Sequence, residues 1–303
     1  MQISNYNYKN FLQPEIVSKI NNLDLRARLV VEGFLVGLHK SPYHGFSIEF
    51  SEHRPYMIGD DLNKIDWRVF AKTEKYFIKQ FEEETNLKVY IILDSSKSMS
   101  FKSNEVKSTK LEYAKTLAAA LTYLLINQRD AAGLMSYSNK INYIIEPKAT
   151  KTQLSEILNI LANIKPSETT NTSGSLIKLA ERIKKRGLVI IISDLFDEID
   201  RVLNSLKNFS FLKNEVIVFQ ILDQIELSFG FKSDSIFIDL ETNERLSTQP
   251  YQIKKAYQDA MKEFISKIKH ECLKANFDYN LILTNEPFDK ALFKFLQKRK
   301  KLY

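Results

Sequence analysis

The chain has 303 residues, of which 44% are hydrophobic and 27% are charged, the balance of an ordinary soluble globular protein. A chain of this length can bury a substantial core, in one large domain or in two smaller ones. Its single cysteine, Cys272, excludes an internal disulfide and fits a reducing cytosol. We interpret this thiol as packed and inert, because it lies in a long helical stretch rich in Lys and Glu.

The formal net charge is +7, and the basic excess is spread along the chain, with one local cluster at residues 298–301. A basic tail can contact phosphates. However, basic and aromatic residues do not alternate as they do in proteins that bind single strands. We therefore do not expect a nucleic-acid partner.

No targeting segment or membrane span is predicted. The first residues lack a cationic patch followed by an apolar stretch, so we do not expect a secretory signal. The longest apolar run, residues 188–192, is far shorter than the about 20 residues that a spanning helix needs. We expect a cytoplasmic protein.

The first part of the chain is predicted to form a small helical and β lobe at residues 1–86. Residues 14–38 have apolar residues at helical spacing and predict two helices. Residues 46–50 alternate as a short strand does, and residues 75–81 are a second candidate strand. The main domain is then predicted to occupy residues 87–303.

Strand and helix patterns alternate from residue 87 onward. The predicted strands are 87–93, 130–137, 142–145, 188–192, 215–222 and 279–283. The predicted helices are 106–127, 151–162, 175–185, 198–208 and about 253–274, with a further helix at the end and a small β element within 225–240. This alternation implies an α/β fold with a doubly wound, mostly parallel sheet. The hairpin turning at residues 138–140 adds one antiparallel edge strand.

Three polar side chains follow the first of these strands. The apolar run 89–93 is followed by Asp94, and the hydroxyls of Ser96 and Ser98 come next at spacings of two. In open α/β sheets, ligands bind at the edge formed by the carboxyl ends of the strands, which is where these residues are expected. A carboxylate with two hydroxyls is a hard-oxygen set that suits magnesium or manganese rather than zinc. The alternative is that these residues only cap the next helix.

Two further segments favour the metal interpretation. A polar, threonine-rich loop at residues 169–172 precedes a predicted helix, and the apolar run 188–192 is followed by Ser193 and Asp194. If the two strands are parallel neighbours, Asp94 and Asp194 leave the sheet at the same edge. Oxygen ligands from three loops would then hold a magnesium ion and leave one coordination position open.

These segments together resemble the metal-ion-dependent adhesion site of von Willebrand factor A domains. The resemblance implies a von Willebrand factor A-like fold and a site for Mg²⁺ (or Mn²⁺). It assigns the metal-site roles to Asp94, Ser96, Ser98, Thr170 and Asp194. Thr170 is preferred to the neighbouring threonines because of its distance from residues 179–182.

Four motifs ahead of the first main strand resemble the domain-of-unknown-function-58 family. They are Gly-Leu-His-Lys-Ser-Pro-Tyr-His-Gly at 37–45, Arg-Pro-Tyr at 54–56, Gly-Asp-Asp at 59–61 and Ile-Asp-Trp-Arg at 65–68. Members are von Willebrand A-like bacterial proteins, often found with MoxR-type AAA+ ATPases. The resemblance runs from about Gly37 to Asp194. It implies an adaptor that works with such an ATPase, a partner whose acidic side chain completes the metal shell.

Charged residues cluster between positions 54 and 68 and allow two interpretations. The cluster consists of Arg54, Asp60, Asp61, Asp66, Trp67 and Arg68. The three aspartates could form a second metal centre in a metal-dependent phosphohydrolase or nuclease. Alternatively, arginines and aspartates pair and dock the lobe onto the main domain, with Trp67 as a buried plug. We favour docking, because the arginines already supply the positive charge that a metal would bring.

Rival enzyme classes lack residues that they need. A haloacid-dehalogenase-type phosphotransferase requires a second aspartate two residues after the first, where this chain has Ser96. A serine hydrolase would need a G-x-S-x-G elbow, and a nucleotide hydrolase of the Walker type would need its Gly-rich loop; neither is present. The sequence therefore predicts a non-catalytic, metal-dependent protein-interaction module.

Overall fold

The computed structural model describes residues 12–39, 53–56, 65, 67–79, 87–166, 171–210, 213–231, 235–238, 245–248 and 250–300. The helices are α1 (Pro14–Val17), α2 (Leu23–His39), α3 (Trp67–Thr73), α4 (Lys110–Asn127), α5 (Lys151–Asn163), α6 (Thr172–Arg182), α7 (Ile199–Lys207), α8 (Gln224–Ser228), α9 (Pro250–Lys274) and α10 (Asp289–Lys300). The strands are β1 (His53–Pro55), β2 (Phe77–Lys79), β3 (Lys88–Asp94), β4 (Ala131–Tyr137), β5 (Ile141–Lys148), β6 (Leu188–Ser193), β7 (Glu215–Leu222), β8 (Ser235–Ile238), β9 (Arg245–Thr248) and β10 (Asp278–Leu283).

A six-stranded sheet organises the main domain, in the order β10-β7-β6-β3-β4-β5. Its strands run parallel except for β5, which pairs antiparallel with β4 at one edge. The predicted doubly wound, mostly parallel sheet with one antiparallel edge strand is therefore confirmed. This is also the architecture expected from the von Willebrand factor A resemblance.

The central strands are continuous apolar runs because helices cover both of their faces. Along β3, the side chains of Val89, Ile91 and Leu93 pack on one face, in a core shared with α2, α4, α5 and α10. Those of Tyr90 and Ile92 pack on the other face, in a core shared with α6, α7 and α9. Period-2 alternation thus divides one buried strand between two apolar cores.

Helix α4 lies directly behind the loop that follows β3. Thr109 caps it, since its hydroxyl accepts the backbone N–H of Glu112 at 3.1 Å. The predicted start at residue 106 was wrong, because Val106 is buried in the loop rather than in the first helical turn. The helix therefore begins at Lys110, four residues later than its apolar pattern indicates.

The N-terminal helices α1 and α2 match the predicted range 14–38, except that α2 ends one residue later, and they share a core with the main sheet. Val30 and Phe34 of α2 belong to the same apolar cluster as α4, and Arg26 forms an ion pair with Glu112 of α4 at 3.3 Å. Strands β1 and β2 pair antiparallel, so the predicted strand at 75–81 is confirmed for residues 77–79. The predicted strand at 46–50 lies outside the described residues.

The segment after β7 differs from the predicted small β element. Residues 224–228 form a short helix, α8, and residues 235–238 form a strand, which pairs with β9. The helix forms because Asp223 and Glu226 make a capping box, in which each side chain accepts a backbone N–H near the helix start.

In the described part of the chain, no helix combines the length and apolar character needed to cross a bilayer.

Candidate metal centre at the carboxyl edge of the sheet

Three neighbouring parallel strands each lead into a buried aspartate. The register pairs Leu93 of β3 with Ile192 of β6, so Asp94 and Asp194 leave the same edge of the sheet, as predicted. Asp223 follows β7, the next strand in the sheet order. All three aspartates are almost completely inaccessible to solvent.

The Asp94 carboxylate is held by hydroxyl and amide donors. Its Oδ1 accepts the backbone N–H of Ser96 at 2.8 Å, and its Oδ2 accepts the hydroxyls of Ser193 at 2.6 Å and Tyr137 at 3.2 Å. Burial and, second, the charge of Asp194 raise the pKa of Asp94 to about 6, although the bonds from Ser193 and Ser96 favour the charged form. Within the described residues, Asp94 forms no ion pair, so a bound cation would be the partner that neutralises its negative charge.

The two serine hydroxyls have a spacing that suits magnesium. The Oγ atoms of Ser96 and Ser98 lie 3.0 Å apart. Adjacent ligands of an octahedral Mg²⁺ at about 2.1 Å from the metal are separated by about 3 Å. In the described residues, no three His, Cys, Asp or Glu side chains converge as ligands, so a cation here would depend on hydroxyls. The donor chemistry and the spacing therefore fit the group that the resemblance implies.

Asp194 has an ammonium partner that the sequence reasoning missed. Its Oδ1 accepts the backbone N–H of Phe196 at 3.1 Å, and its Oδ2 accepts the ammonium of Lys110 at 2.8 Å. The same ammonium donates to Oε1 of Glu226 at 2.6 Å. The side chains of Lys110, Asp194 and Glu226 are 0%, 1% and 11% exposed, so the three charged groups form a largely buried triad.

The surroundings of Lys110 keep it charged. Burial by itself lowers the pKa of Lys110, but the carboxylates of Asp194 and Glu226 outweigh burial and raise that pKa above its usual value. Burial also raises the pKa of Glu226, against the influence of Lys110. The face of the Phe196 ring, with its centroid 4.7 Å from the ammonium, adds a cation–π contact. A lysine at the first helical residue opposes the helix dipole, but the helix predicted from residue 106 placed Lys110 one turn further in, so the sequence did not show this signal.

Asp223 connects the loop after β3 to α8, and it was also missed. Its Oδ2 accepts the backbone N–H of Ser103 at 3.0 Å, and its Oδ1 accepts that of Ile225 at 3.0 Å. Glu226 returns the contact, because its Oε2 accepts the backbone N–H of Asp223 at 2.8 Å. The sequence signal was a third strand followed by an aspartate, with a glutamate three residues later.

The predicted threonine ligand cannot be placed, because Thr170 lies outside the described residues. The loop re-enters the described structure at Asn171, whose side chain caps α6 by accepting the N–H of Gly174. The start of α6 is fixed to the end of β4, since Ser138 O accepts the N–H of Asn171 at 3.3 Å and the hydroxyl of Ser175 at 3.2 Å. The role of Thr170 stays a prediction.

Most of the predicted docking cluster also lies outside the described residues. This applies to Asp60, Asp61, Asp66 and the side chains of Arg54 and Arg68. Trp67 is described, and its expected role as a buried plug is wrong, because it is 59% exposed. It is the first residue of α3 and packs edge-on against Phe70 one turn later, with ring centroids 6.0 Å apart.

Several known proteins are similar to this chain. Uncharacterized protein Rv1480 of Mycobacterium tuberculosis is 23% identical over 235 residues, covering 76% of this chain and 72% of the relative. Among solved structures, BatB from Bacteroides thetaiotaomicron has 18% identity and a TM-score of 0.47, over 70% of this chain and 97% of that one. The SpRpn10 VWA domain has 12% identity and a TM-score of 0.41, over 68% and 94%.

The family assignment comes from a profile match. The model described as "Protein of unknown function DUF58" matches residues 52–265, well over half of the chain. That range contains the Arg-Pro-Tyr, Gly-Asp-Asp and Ile-Asp-Trp-Arg motifs, together with Asp94 and Asp194. The protein therefore belongs to the DUF58 family, as its motifs predicted.

Proposed function

We propose that this protein is a non-catalytic, metal-ion-dependent protein-interaction module. Asp94, Ser96, Ser98, Thr170 and Asp194 would hold Mg²⁺ or Mn²⁺, directly or through water. When bound, the ion would supply an open coordination position for an acidic side chain of a partner protein. The observation that carries the proposal is the Ser96–Ser98 hydroxyl pair beside the buried Asp94 carboxylate.

The electrostatics of the edge support a cation. Asp94 is buried within range of Asp194, whose charge contributes to the raised pKa of Asp94. A divalent ion would neutralise this repulsion and replace the solvation that both groups lose on folding. Ser98 is partly exposed, in a short 3₁₀ turn at Ser98–Ser100, so a partner can reach this end of the site.

The described contacts do not favour an enzyme. Ser96 and Ser98 bond to each other, and the Ser96 side chain also bonds to Asp94, whose carboxylate the proposal assigns to the metal rather than to the activation of a nucleophile. The phosphohydrolase or nuclease alternative depends on Asp60, Asp61 and Asp66, which lie outside those residues. We therefore do not propose it.

We further propose that the partner is a MoxR-type AAA+ ATPase, for which this protein acts as an adaptor in assembling or remodelling a protein complex. Support comes from the family resemblance rather than from any contact in the structure. The metal chemistry supplies a specific expectation, because the partner must present a carboxylate to the open position.

Calorimetric titration of EDTA-treated protein with MnCl₂ or MgCl₂ tests the metal site. We expect one site in the parent, no binding by Asp94→Ala and weakened binding by Ser98→Ala, because each change removes an oxygen ligand. Ser100→Ala is the matched control, since the Ser100 hydroxyl bonds to the Lys97 carbonyl in the same turn. A titration curve for Asp94→Ala that matches the parent would contradict the proposed site.

The partner is tested by co-purification with the AAA+ ATPase encoded nearest to this gene. We expect EDTA to release the ATPase and Ser98→Ala to prevent its retention, whereas Ser100→Ala retains it. An ATPase that stays bound in excess EDTA would refute metal gating and leave the fold assignment standing.

A further inference from the structure

The buried ammonium of Lys110 has no task in the proposed metal site. Its Nζ lies 2.8 Å from Asp194 Oδ2 and 2.6 Å from Glu226 Oε1, and the side chain is completely inaccessible to solvent. Desolvating an ammonium is expensive unless it is paired. A cation fixed to a candidate metal ligand therefore needs an explanation beyond packing.

Lys110 and an arriving metal ion would compete for the same carboxylate. Asp194 uses Oδ1 for the backbone N–H of Phe196 and Oδ2 for Lys110, so both of its oxygens already have donors. A divalent ion near Asp194 would share that carboxylate with a fixed positive charge in a poorly solvated environment, where repulsion is stronger than in water. Glu226 counters this repulsion, because its carboxylate contacts the same ammonium.

We infer that Lys110 is a positioning residue that limits the affinity of this site for divalent cations, and that Glu226 sets how strongly it does so. The ammonium bonds to one carboxylate oxygen of Asp194 and repels a divalent ion that binds next to this carboxylate. The affinity for the free ion then follows the net charge of the triad. This inference rests on the proposed function, because it concerns the same metal site.

The consequence is that the partner and the ion bind together. Lys110 keeps the affinity for the free ion low because its positive charge offsets part of the negative charge of the site. The partner's carboxylate supplies negative charge and so raises that affinity. Because coupling between two ligands is reciprocal, the ion raises the affinity for the partner by the same factor. Lys110 would thus make metal occupancy higher in the complex than in the free protein.

Two substitutions with opposite effects on charge test this inference. Lys110→Met removes the ammonium and keeps an unbranched apolar side chain, whereas Glu226→Gln leaves the ammonium less compensated. With MnCl₂ as the titrant, we expect about tenfold tighter binding by Lys110→Met and about tenfold weaker binding by Glu226→Gln, the usual size of changes around a metal's ligands. The double variant restores the net charge and should bind about as the parent does.

Lys115→Met is the matched control. Lys115 is also a buried lysine of α4, and its ammonium contacts Glu112 and the backbone carbonyls of Ala162 and Ile164. Its removal changes the net charge of the protein equally but does not touch Asp194. Unchanged Mn²⁺ affinity in this control assigns the effect of Lys110→Met to the triad.

The outcomes separate this inference from the proposed function. If the parent binds Mn²⁺ and both single variants bind more weakly, Lys110 is only structural and the inference is overturned, while the proposed function stands. If Lys110→Met binds where the parent does not, the inference is supported. If neither the parent nor Lys110→Met binds Mn²⁺, both the inference and the proposed function are overturned. If Lys110→Met does not fold, Glu226→Gln decides, because unchanged or tighter binding by that variant overturns the inference.

Discussion

Replacing Lys110 with methionine should destabilise the metal-free protein strongly. The substitution leaves the buried Asp194 and the largely buried Glu226 without their shared cation. Removing one partner of a buried ion pair costs about 3–5 kcal/mol. Since each kcal/mol lowers the Tm by about 2–4 °C in domains of about 150–250 residues, we expect a fall of roughly 10 °C.

Thermal unfolding in EDTA near pH 7, followed by circular dichroism, measures this fall. Lys267→Met is the matched control, because Lys267 Nζ lies 2.7 Å from Asp200 Oδ1 but the two side chains are 43% and 70% exposed. An exposed pair contributes about 0–1 kcal/mol, so this Tm should change by about 4 °C at most. Equal Tm values for the two variants would refute the argument that burial makes the Lys110 contacts strong.

Three further predictions concern the fold around the site. Thr109→Ala removes the cap of α4 and should cost about 1 kcal/mol of unfolding free energy in urea titrations; an unchanged midpoint would contradict the capping role. Gly133→Ala should cost about 1–3 kcal/mol in the same assay, because its Cβ would lie 2.6 Å from the carbonyl oxygen of Ile145; parent-like stability would show that β5 can move aside. Cys272 should react with a thiol reagent only after unfolding, since it is 1% exposed and burial raises its pKa to about 12; rapid labelling of the native protein would contradict this.

The strands were the most predictable part of the structure. The predicted strand at 215–222 coincides with β7, the one at 87–93 is displaced from β3 by one residue, and the one at 188–192 is one residue shorter than β6. Buried parallel strands read as continuous β-branched runs because both faces are covered. Their order in the sheet brought Asp94 and Asp194 to one edge.

Helix ends and short helices were less predictable, because capping bonds rather than apolar periodicity determine them. The predicted helix at 175–185 begins instead at Thr172, after the Asn171 cap. Helix α8 has only five residues and depends on the Asp223–Glu226 capping box. An apolar pattern cannot reveal an element of that length.

The charged part of the site was the least predictable. The contact between Lys110 and Glu226 joins residues 116 positions apart, and nothing local to either residue indicates the other. A lysine early in a helix ordinarily faces solvent, so its burial emerges only from the tertiary structure. The positions of Asp94 and Asp194 could be predicted because they follow strand ends, whereas the ammonium comes from a helix behind them.

The two flanks of the family match belong to one folding unit. Helix α2 precedes the matched range 52–265, and β10 and α10 follow it, yet the backbone N–H of Phe288 bonds to the carbonyl of Leu12 at 2.9 Å. Phe288 also stacks on Tyr113 of α4, with ring centroids 4.4 Å apart. A recombinant fragment cut at the family boundaries would lose an edge strand and expose one side of α4. Expression of the candidate metal-site region for crystallography or binding assays therefore calls for both flanks, in one chain or as co-expressed pieces.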